Sequence, residues 1–262
     1  SIRVNDGAGG ASMPRTVQIN VTPETDGVSK LFGEQQVNTY EAGYQTMPAV
    51  SALQGANAGS YVVVWRSDDA QDGSGYGVFG QRYDDRGAAV GAEFQVSSEG
   101  LGNQYEPEVG ALANGGFVVV WRSDSQDGSG AGIYAQRYGA DGALAGGEFR
   151  VNTTTTGTQY EPAVIGLSDG SFVVAYRSDY TASTYTTDVL AKRYAVDGTL
   201  LADEFTLNTT VSGTQFNPRL AALPGGKFVA VYADASANDG SGYGVFSKVF
   251  NADGTVAVAE QG

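Results

Sequence analysis

Three turns rich in aspartate and glycine carry the residues best suited to binding a metal ion. Their acidic residues are Asp68, Asp72, Asp124, Asp127, Asp234 and Asp239. Glycine lets the backbone bring several oxygen atoms to one centre, and oxygen atoms are the ligands that Ca²⁺ prefers. The turns therefore predict calcium. Because none of them has EF-hand spacing, the alternative is a plain turn in which aspartate accepts hydrogen bonds from backbone N–H groups.

Tyrosines that occur in only some copies of a repeated stretch are candidates for contact with an organic ligand. The turn 179–188 has lost its glycines and carries tyrosine and threonine instead. An exposed tyrosine offers a large contact area and a ring that stacks on sugar faces. The predicted ligand-binding tyrosines are Tyr40, Tyr44, Tyr180 and Tyr185. Ordinary surface loops are the alternative.

Arginine follows an aromatic residue in three related strands, at Arg66, Arg122 and Arg177. Arginines at equivalent positions could hold one ligand carboxylate between them, since a guanidinium group binds carboxylates bidentately. This arrangement is similar to the arginine triad of sialidases, but the turns lack the aspartate-box string of that family. The alternative is that each arginine pairs with the aspartate two residues further along the chain.

Acid–base catalysis would depend on carboxylates, because the chain contains neither histidine nor cysteine. Glu106, Glu161 and Asp188 are the acidic residues that could act with the arginines in a paired-carboxylate hydrolase. Glu106 and Glu161 each precede a proline, but Met47 and Asn217 occupy the same place in the other copies. No acidic pair is confined to one copy, so we predict that the protein is not an enzyme.

These residues lie on a unit of about 56 residues that occurs four times from residue 33 onward. Its best-preserved copy has a strand at Phe117–Trp121, an Asp/Gly turn, and a second strand that ends at Gln136–Tyr138. The first strand is apolar on both faces, which indicates a sheet covered on both sides. A Gln-x-x-Pro corner and an Asp-Gly turn bound the other strands of the unit.

Four strands joined by short turns in each copy are typical of a propeller blade. We therefore predict an all-β protein, a four-bladed β-propeller built from four four-stranded repeats of about 56 residues. The sequence leaves open whether each blade is contiguous or an N-terminal strand completes the last blade. Two packed β-sandwiches are the weaker alternative.

Residues 1–27 stand outside the repeat and predict an N-terminal hairpin and linker, followed by the propeller over 28–262. Val17, Ile19 and Val21 alternate with polar residues, as in a half-buried strand. The hairpin resembles the end of the cadherin-like or Ig-like modules of giant bacterial surface proteins. It is either the end of such a preceding module or a closing strand of the main fold.

The composition excludes two classes of partner. A formal net charge of -14 repels phosphate backbones and anionic lipids, so we expect no nucleic acid and no contact with a membrane surface. No apolar run approaches the roughly 20 residues of a membrane-spanning helix, so we expect no direct membrane insertion. The absence of cysteine means that the chain forms no disulfides.

The whole unit resembles repeats of very large bacterial calcium-dependent surface proteins of the RTX adhesin type. The residues that carry this resemblance are Glu148–Asn152, the corner from Gln159 to Pro162, Gly116–Ser123 and Gln126–Tyr138. The resemblance implies secretion to the bacterial cell surface, an adhesive or scaffolding role, calcium in the surroundings, and neighbouring domains in a longer chain.

The predicted function is a non-enzymatic extracellular binding or adhesion module. It would recognise a glycan or a protein on another surface through the loops that differ between copies. The alternatives are a purely structural spacer and, less favoured, a carboxylate-based glycoside hydrolase of sialidase-like type. Turnover of a glycoside would distinguish the hydrolase from the other two.

Overall fold

Sixteen β-strands and two short 3₁₀ turns make up the described part of the chain. The structure is a computed structural model, and it describes residues 34–68, 71–73, 75–98, 102–179, 187–210, 213–236, 240 and 242–261. Contacts divide the chain into two compact units, Ser1–Gln35 and Gln36–Gly262. The hairpin expected within residues 1–27 lies outside the described residues and stays a prediction.

The strands form four antiparallel sheets, each made of four consecutive strands. Blade 1 contains β1 (Gln45–Ala52), β2 (Tyr61–Ser67), β3 (Gly77–Tyr83) and β4 (Ala89–Gln95). Blade 2 contains β5 (Gln104–Ala111), β6 (Phe117–Asp124), β7 (Ala131–Tyr138) and β8 (Phe149–Arg150). Blade 3 contains β9 (Thr158–Gly166), β10 (Phe172–Asp179), β11 (Asp188–Tyr194) and β12 (Leu200–Thr206). Blade 4 contains β13 (Gln215–Ala222), β14 (Phe228–Asp234), β15 (Gly244–Phe250) and β16 (Val256–Gln261), and the 3₁₀ turns are Gly55–Asn57 and Pro224–Gly226.

This architecture confirms the prediction of an all-β, four-bladed β-propeller. Every blade is contiguous in sequence, because its four strands follow one another along the chain and pair in that order. The repeat therefore corresponds to one blade, and no strand is exchanged between the ends of the described chain. Neither of the two 3₁₀ turns has the length and hydrophobicity that a membrane-spanning helix needs, and the described residues contain no such helix.

The second strand of a blade is buried on both faces, as its sequence predicts. In β6, Val118 and Val120 belong to the cluster shared with blade 3. Phe117, Val119 and Trp121 belong to the cluster shared with blade 1. All five side chains are fully buried, and burying each one stabilises the fold by about 1.5–3 kcal/mol. A third cluster joins blades 3 and 4 in the same way.

The outward faces of the first and last blades differ from these three interfaces. On blade 1, a cluster that includes Trp65 and Tyr83 packs against Val37, and the Tyr83 hydroxyl donates to the carbonyl of Val37 at 3.1 Å. On blade 4, Val245 is 71% exposed, although its counterpart Ile133 in blade 2 is fully buried. The segment around Val37 therefore covers blade 1, while the outer face of blade 4 is more open.

The first strands of neighbouring blades approach so closely that one glycine is required between them. A Cβ atom added at Gly166 in β9 would overlap the carbonyl oxygen of Ala111 in β5. We expect Gly166→Ala to destabilise the protein by about 1–3 kcal/mol, because backbone rather than a flexible side chain fills the space. Urea denaturation followed by tryptophan fluorescence measures the change.

The matched control is Gly147→Ala, because a Cβ atom there meets nothing within 4 Å. This variant should keep the stability of the wild type or gain up to about 1 kcal/mol from the loss of glycine's freedom in the unfolded chain. Equal midpoints for the two variants would contradict the close approach of β5 and β9.

Candidate functional site

A β-bulge interrupts the first strand of every blade next to its proline. The pairing register shifts at this point in β1, β5, β9 and β13. The residue before the proline has a positive φ, which is 53° at Met47, 52° at Glu106, 54° at Glu161 and 54° at Asn217. This left-handed backbone is unfavourable by about 1–2 kcal/mol for a residue with a side chain. The surrounding structure must therefore hold it in place.

All four bulges line one cavity of about 360 Å³. Its lining residues are Met47, Pro48, Glu106, Pro107, Glu108, Glu161, Pro162, Asn217 and Arg219. Each of them belongs to the first strand of a blade, so the cavity lies on the axis around which the blades are arranged. Its volume is in the range of small-molecule pockets.

Two glutamates in the cavity wall join their blade to the next one. The backbone N–H of Glu161 donates to Oε2 of Glu106 at 2.6 Å, and the N–H of Asn217 donates to Oε2 of Glu161 at 2.6 Å. Each bond connects the bulge of one blade to the bulge of the following blade. A carboxylate that accepts a backbone N–H in this way is held in a fixed position at the edge of the cavity.

The other oxygen of each glutamate faces an arginine that the sequence had singled out. Glu161 Oε1 lies 3.3 Å from Arg177 Nη1, whereas Glu106 Oε1 lies 3.9 Å from Arg122 Nη1. Arg122 also contacts Asp124, the aspartate two residues further along the chain, at 3.0 Å. Arg122 and Arg177 therefore each pair within their own blade, and the oxygen of Glu106 that faces the arginine is the less engaged of the two.

The three arginines predicted to bind ligand are stacked against aromatic rings. The distances from Cζ to the ring centroid are 4.5 Å for Arg66 on Tyr76, 5.1 Å for Arg122 on Tyr105, and 4.5 Å for Arg177 on Tyr160. A guanidinium group over an aromatic face is attracted by the negative charge of the ring face. Stacking fixes the plane of each guanidinium and leaves its N–H edge available for pairing.

Glu108 is the third glutamate of the cavity, and the sequence analysis did not single it out. Burial raises the pKa of the Glu108 carboxyl above its ordinary value, and the positive charge of Arg219 offsets part of this shift. The corresponding positions after the bulge proline are Ala49 and Ala163 in the other two blades. A charged residue in only two of four copies was the signal that could have identified Glu108 and Arg219.

Tyr40 and Tyr44, the predicted tyrosines that the structure describes, are not among the residues that line this cavity. Tyr44 is 74% exposed, and its backbone N–H donates to Asp68. The Tyr40 carbonyl accepts a hydrogen bond from Asn38 at 2.8 Å. Tyr180 and Tyr185 lie outside the described residues. Asp188, the third carboxylate considered for hydrolysis, begins β11 and accepts a hydrogen bond from Asn208 at 2.8 Å.

Asp127 and Asp234, two of the aspartates predicted to bind calcium, accept hydrogen bonds from the protein. Asp127 accepts from the N–H of Ser129 at 3.1 Å. Asp234 is 1% exposed and accepts from Gln215 at 3.1 Å. Asp72 lies beside Gly77, and Asp239 lies outside the described part of the chain. Within that part, no three acidic residues group as metal ligands would.

Calcium at these turns stays a prediction that melting can test. Comparison of melting temperatures in EDTA and in millimolar calcium, for the wild type and for Asp127→Ala, measures the effect. A bound ion stabilises the folded state by about 2.7 kcal/mol per site at a hundredfold excess over its Kd. We expect a higher melting temperature in calcium for the wild type than for Asp127→Ala, and identical curves in both solutions would contradict the prediction.

Solved structures share this fold, although no protein-family model and no curated protein matches the sequence. An α-L-arabinanase from Penicillium chrysogenum, complexed with arabinobiose, is 18% identical and has a TM-score of 0.58; the match covers 83% of this chain and 66% of that one. A GH93 α-L-arabinofuranosidase from Fusarium graminearum, also with arabinobiose, is 13% identical with the same coverage and TM-score of 0.58. An endo-arabinase from Bacteroides thetaiotaomicron is 15% identical over 78% of this chain and 74% of its own, with a TM-score of 0.50. At these identities the similarity shows the fold alone.

These similarities correct the prediction of function. We expected a non-enzymatic binding or adhesion module, but the three solved structures named above are of glycoside hydrolases. The expectation that the chain is not an enzyme is contradicted by the same finding, and adhesion and calcium binding gain no support from it. The prediction rested on the lack of an acidic pair confined to one copy of the repeat, and it did not consider Glu108.

The raised pKa of Glu108 makes a prediction about stability and pH. A carboxyl whose pKa is higher in the folded than in the unfolded chain favours folding fully below the unfolded value, about 4.3. This contribution is lost as the pH rises through the folded pKa. The Glu108→Gln variant has no carboxyl at this position and loses no stability in this way. The free energy of unfolding of the variant, relative to that of the wild type, should therefore increase between pH 4 and pH 7.

Urea denaturation at several pH values measures this difference. The matched control is Glu41→Gln, which makes the same substitution at an exposed glutamate. A constant difference between Glu108→Gln and the wild type over the whole range would contradict the assignment.

Proposed function

We propose that this protein is a glycoside hydrolase whose active site is the axial cavity. The observation that carries the proposal is the set of three glutamates, Glu106, Glu108 and Glu161, in one cavity wall. Their environments differ, because burial raises the pKa of Glu108 while Glu106 and Glu161 are held by backbone N–H groups and arginines. Carboxyl groups in unlike environments are what glycoside hydrolysis requires.

Glu108 takes the role of the general acid. A carboxyl whose pKa is raised stays protonated closer to neutral pH, so it can donate its proton to the glycosidic oxygen as the C–O bond breaks. The positive charge of Arg219 lowers the pKa of Glu108 and so limits the rise that burial causes.

Glu106 takes the role of the second carboxylate. Its Oε2 is held by the N–H of Glu161 at 2.6 Å, while its Oε1 is 3.9 Å from Arg122 and is less strongly engaged. That oxygen can face a sugar ring on which positive charge develops as the glycosidic bond breaks. Glu161 positions Glu106 through its backbone, and its own carboxylate is bound by Arg177 and Asn217.

The substrate class follows from the cavity and from the structural neighbours. A cavity of about 360 Å³ suits the end or a short segment of an oligosaccharide rather than a folded polymer. Two of the neighbours have arabinobiose bound, so arabinose-containing oligosaccharides are the first substrates to test. The resemblance to repeats of bacterial surface proteins and the extracellular location that it implies stay predictions. Such a location would give the site access to polysaccharides outside the cell.

Hydrolysis assays test this function directly. We expect the purified chain to release the chromophore from an aryl α-L-arabinofuranoside or to shorten linear arabinan. Glu108→Gln removes the proton donor and should lower kcat by roughly 100- to 10,000-fold. Activity should fall as the pH rises through the raised pKa of Glu108, because the acid is then deprotonated.

Two controls make the result interpretable. Glu41→Gln alters an exposed glutamate outside the cavity and should retain full activity. Chemical denaturation of Glu108→Gln shows that it is folded. The proposal is wrong if the wild type turns over no arabinoside, xyloside or other aryl glycoside in the panel, or if Glu108→Gln matches its rate.

A further inference from the structure

The arginine–glutamate pairs at the cavity are complete in two blades and incomplete in blade 1. Arg122 pairs with Glu106, and Arg177 pairs with Glu161. Arg66 occupies the same position at the end of its strand, but the residue at its bulge is Met47. Met47 lines the cavity and is 45% exposed. One arginine of the series therefore has no carboxylate where the others have one.

No other group in the described chain takes the place of that carboxylate. Arg66 forms none of the ion pairs found among the described residues, and its buried Nε atom has no hydrogen-bond partner there. Asp68, two residues further on, accepts the backbone N–H of Tyr44 instead.

Arg66 is nevertheless held firmly. Its Cζ lies 4.5 Å from the ring centre of Tyr76 and 5.7 Å from that of Tyr105. The two rings restrict the plane of the guanidinium group. Arg66 therefore loses little side-chain conformational entropy when its N–H groups pair with a carboxylate. A partly buried guanidinium in a fixed orientation is suited to bidentate recognition of a carboxylate.

We propose that Arg66 forms a subsite for the carboxylate of an acidic sugar at the Met47 edge of the cavity. This rests on the proposed function, which makes the ligand a saccharide. The substrate class is then an oligosaccharide that carries a uronic acid residue. Its carboxylate takes the place at Arg66 that Glu106 takes at Arg122 and Glu161 takes at Arg177.

Charge decides where the ligand carboxylate lies. Glu106, Glu108 and Glu161 line the sides of the cavity that belong to blades 2 and 3 and would repel a carboxylate. Arg219, on the side of blade 4, already acts on Glu108, so the Met47 edge is the side that accepts the ligand. The acidic surface of the protein opposes binding only weakly, because salt screens charges beyond about 8 Å. The uronic acid carboxylate thus orients the saccharide, so that the uncharged sugar residues face the three glutamates.

The test is calorimetric titration with a matched pair of non-hydrolysable, sulfur-linked trisaccharides. One carries a single glucuronate residue, and in the other the carboxylate is reduced to hydroxymethyl. We expect the acidic ligand to bind at least tenfold more tightly, as a charge-assisted hydrogen bond allows, and the preference to shrink in high salt. Equal affinities would overturn the subsite.

Variants locate the contact. Arg66→Met should abolish the preference for the acidic ligand, and so should Met47→Glu, which supplies the carboxylate found in blades 2 and 3. Glu106 and Glu161 already occupy the same left-handed backbone, so Met47→Glu is expected to fold. Arg86→Met alters an exposed arginine and should keep the preference. A preference that survives in Arg66→Met would overturn the assignment.

Two further measurements distinguish a sugar-acid subsite from a general anion site, and distinguish failure of the subsite from failure of the hydrolase proposal. Acetate that displaces the acidic trisaccharide at millimolar concentration would make this a general small-anion site and would overturn the claim for a sugar acid. If the acidic ligand is preferred but no glycoside is hydrolysed, the subsite stands and the hydrolase proposal fails. If glycosides are hydrolysed but the acidic ligand is not preferred, the subsite proposal is wrong and the hydrolase proposal stands.

Discussion

The contact on which the axial architecture depends is the hydrogen bond from the backbone of one bulge to the glutamate of the preceding blade. Glu106 accepts the N–H of Glu161, and Glu161 accepts the N–H of Asn217, each at 2.6 Å. These bonds satisfy backbone groups that the bulges remove from the strand ladder. They also place the carboxylates at the axis, where the four first strands line one cavity.

The site arises because the repeat is imperfect. A perfectly repeated unit would give the cavity four identical walls, each with the same charge. Instead, the bulge residue is a glutamate in blades 2 and 3 but a methionine in blade 1 and an asparagine in blade 4. The residue after the proline is Glu108 in blade 2 and Arg219 in blade 4. These differences give the cavity one acid with a raised pKa, two anchored carboxylates, and two edges without negative charge, of which the edge in blade 4 carries Arg219.

Much of the fold could be predicted from the sequence, because it depends on local patterns and on their period. The unit of about 56 residues identified the blades, and the apolar run at Phe117–Trp121 indicated a strand covered on both faces, as the structure has it. The contiguity of each blade and the packing of Val37 on blade 1 could not be predicted in this way. They depend on contacts between distant segments, which the period does not specify.

The site was harder to predict for the same reason. The raised pKa of Glu108 comes from burial where blades meet, and no local pattern reports that. Arg122 and Arg177 were predicted to bind a ligand, which stays a prediction, and their glutamate partners at the axis depend on the bulges. Tyr44, chosen because tyrosine occurs there in only some copies of the repeat, is 74% exposed and lies apart from the cavity lining. A difference between copies therefore does not by itself identify the residues at the axis.

The most direct test of the central claim is a crystal structure of Glu108→Gln soaked with an arabinose or xylose oligosaccharide. Removal of the acid should leave the saccharide intact while preserving the shape of the cavity. The account predicts a sugar residue in the axial cavity, with its glycosidic oxygen within hydrogen-bond distance of the side chain at position 108 and with Glu106 facing the same ring. A saccharide bound only on the outer loops, with the axial cavity free of sugar at saturating concentration, would contradict it.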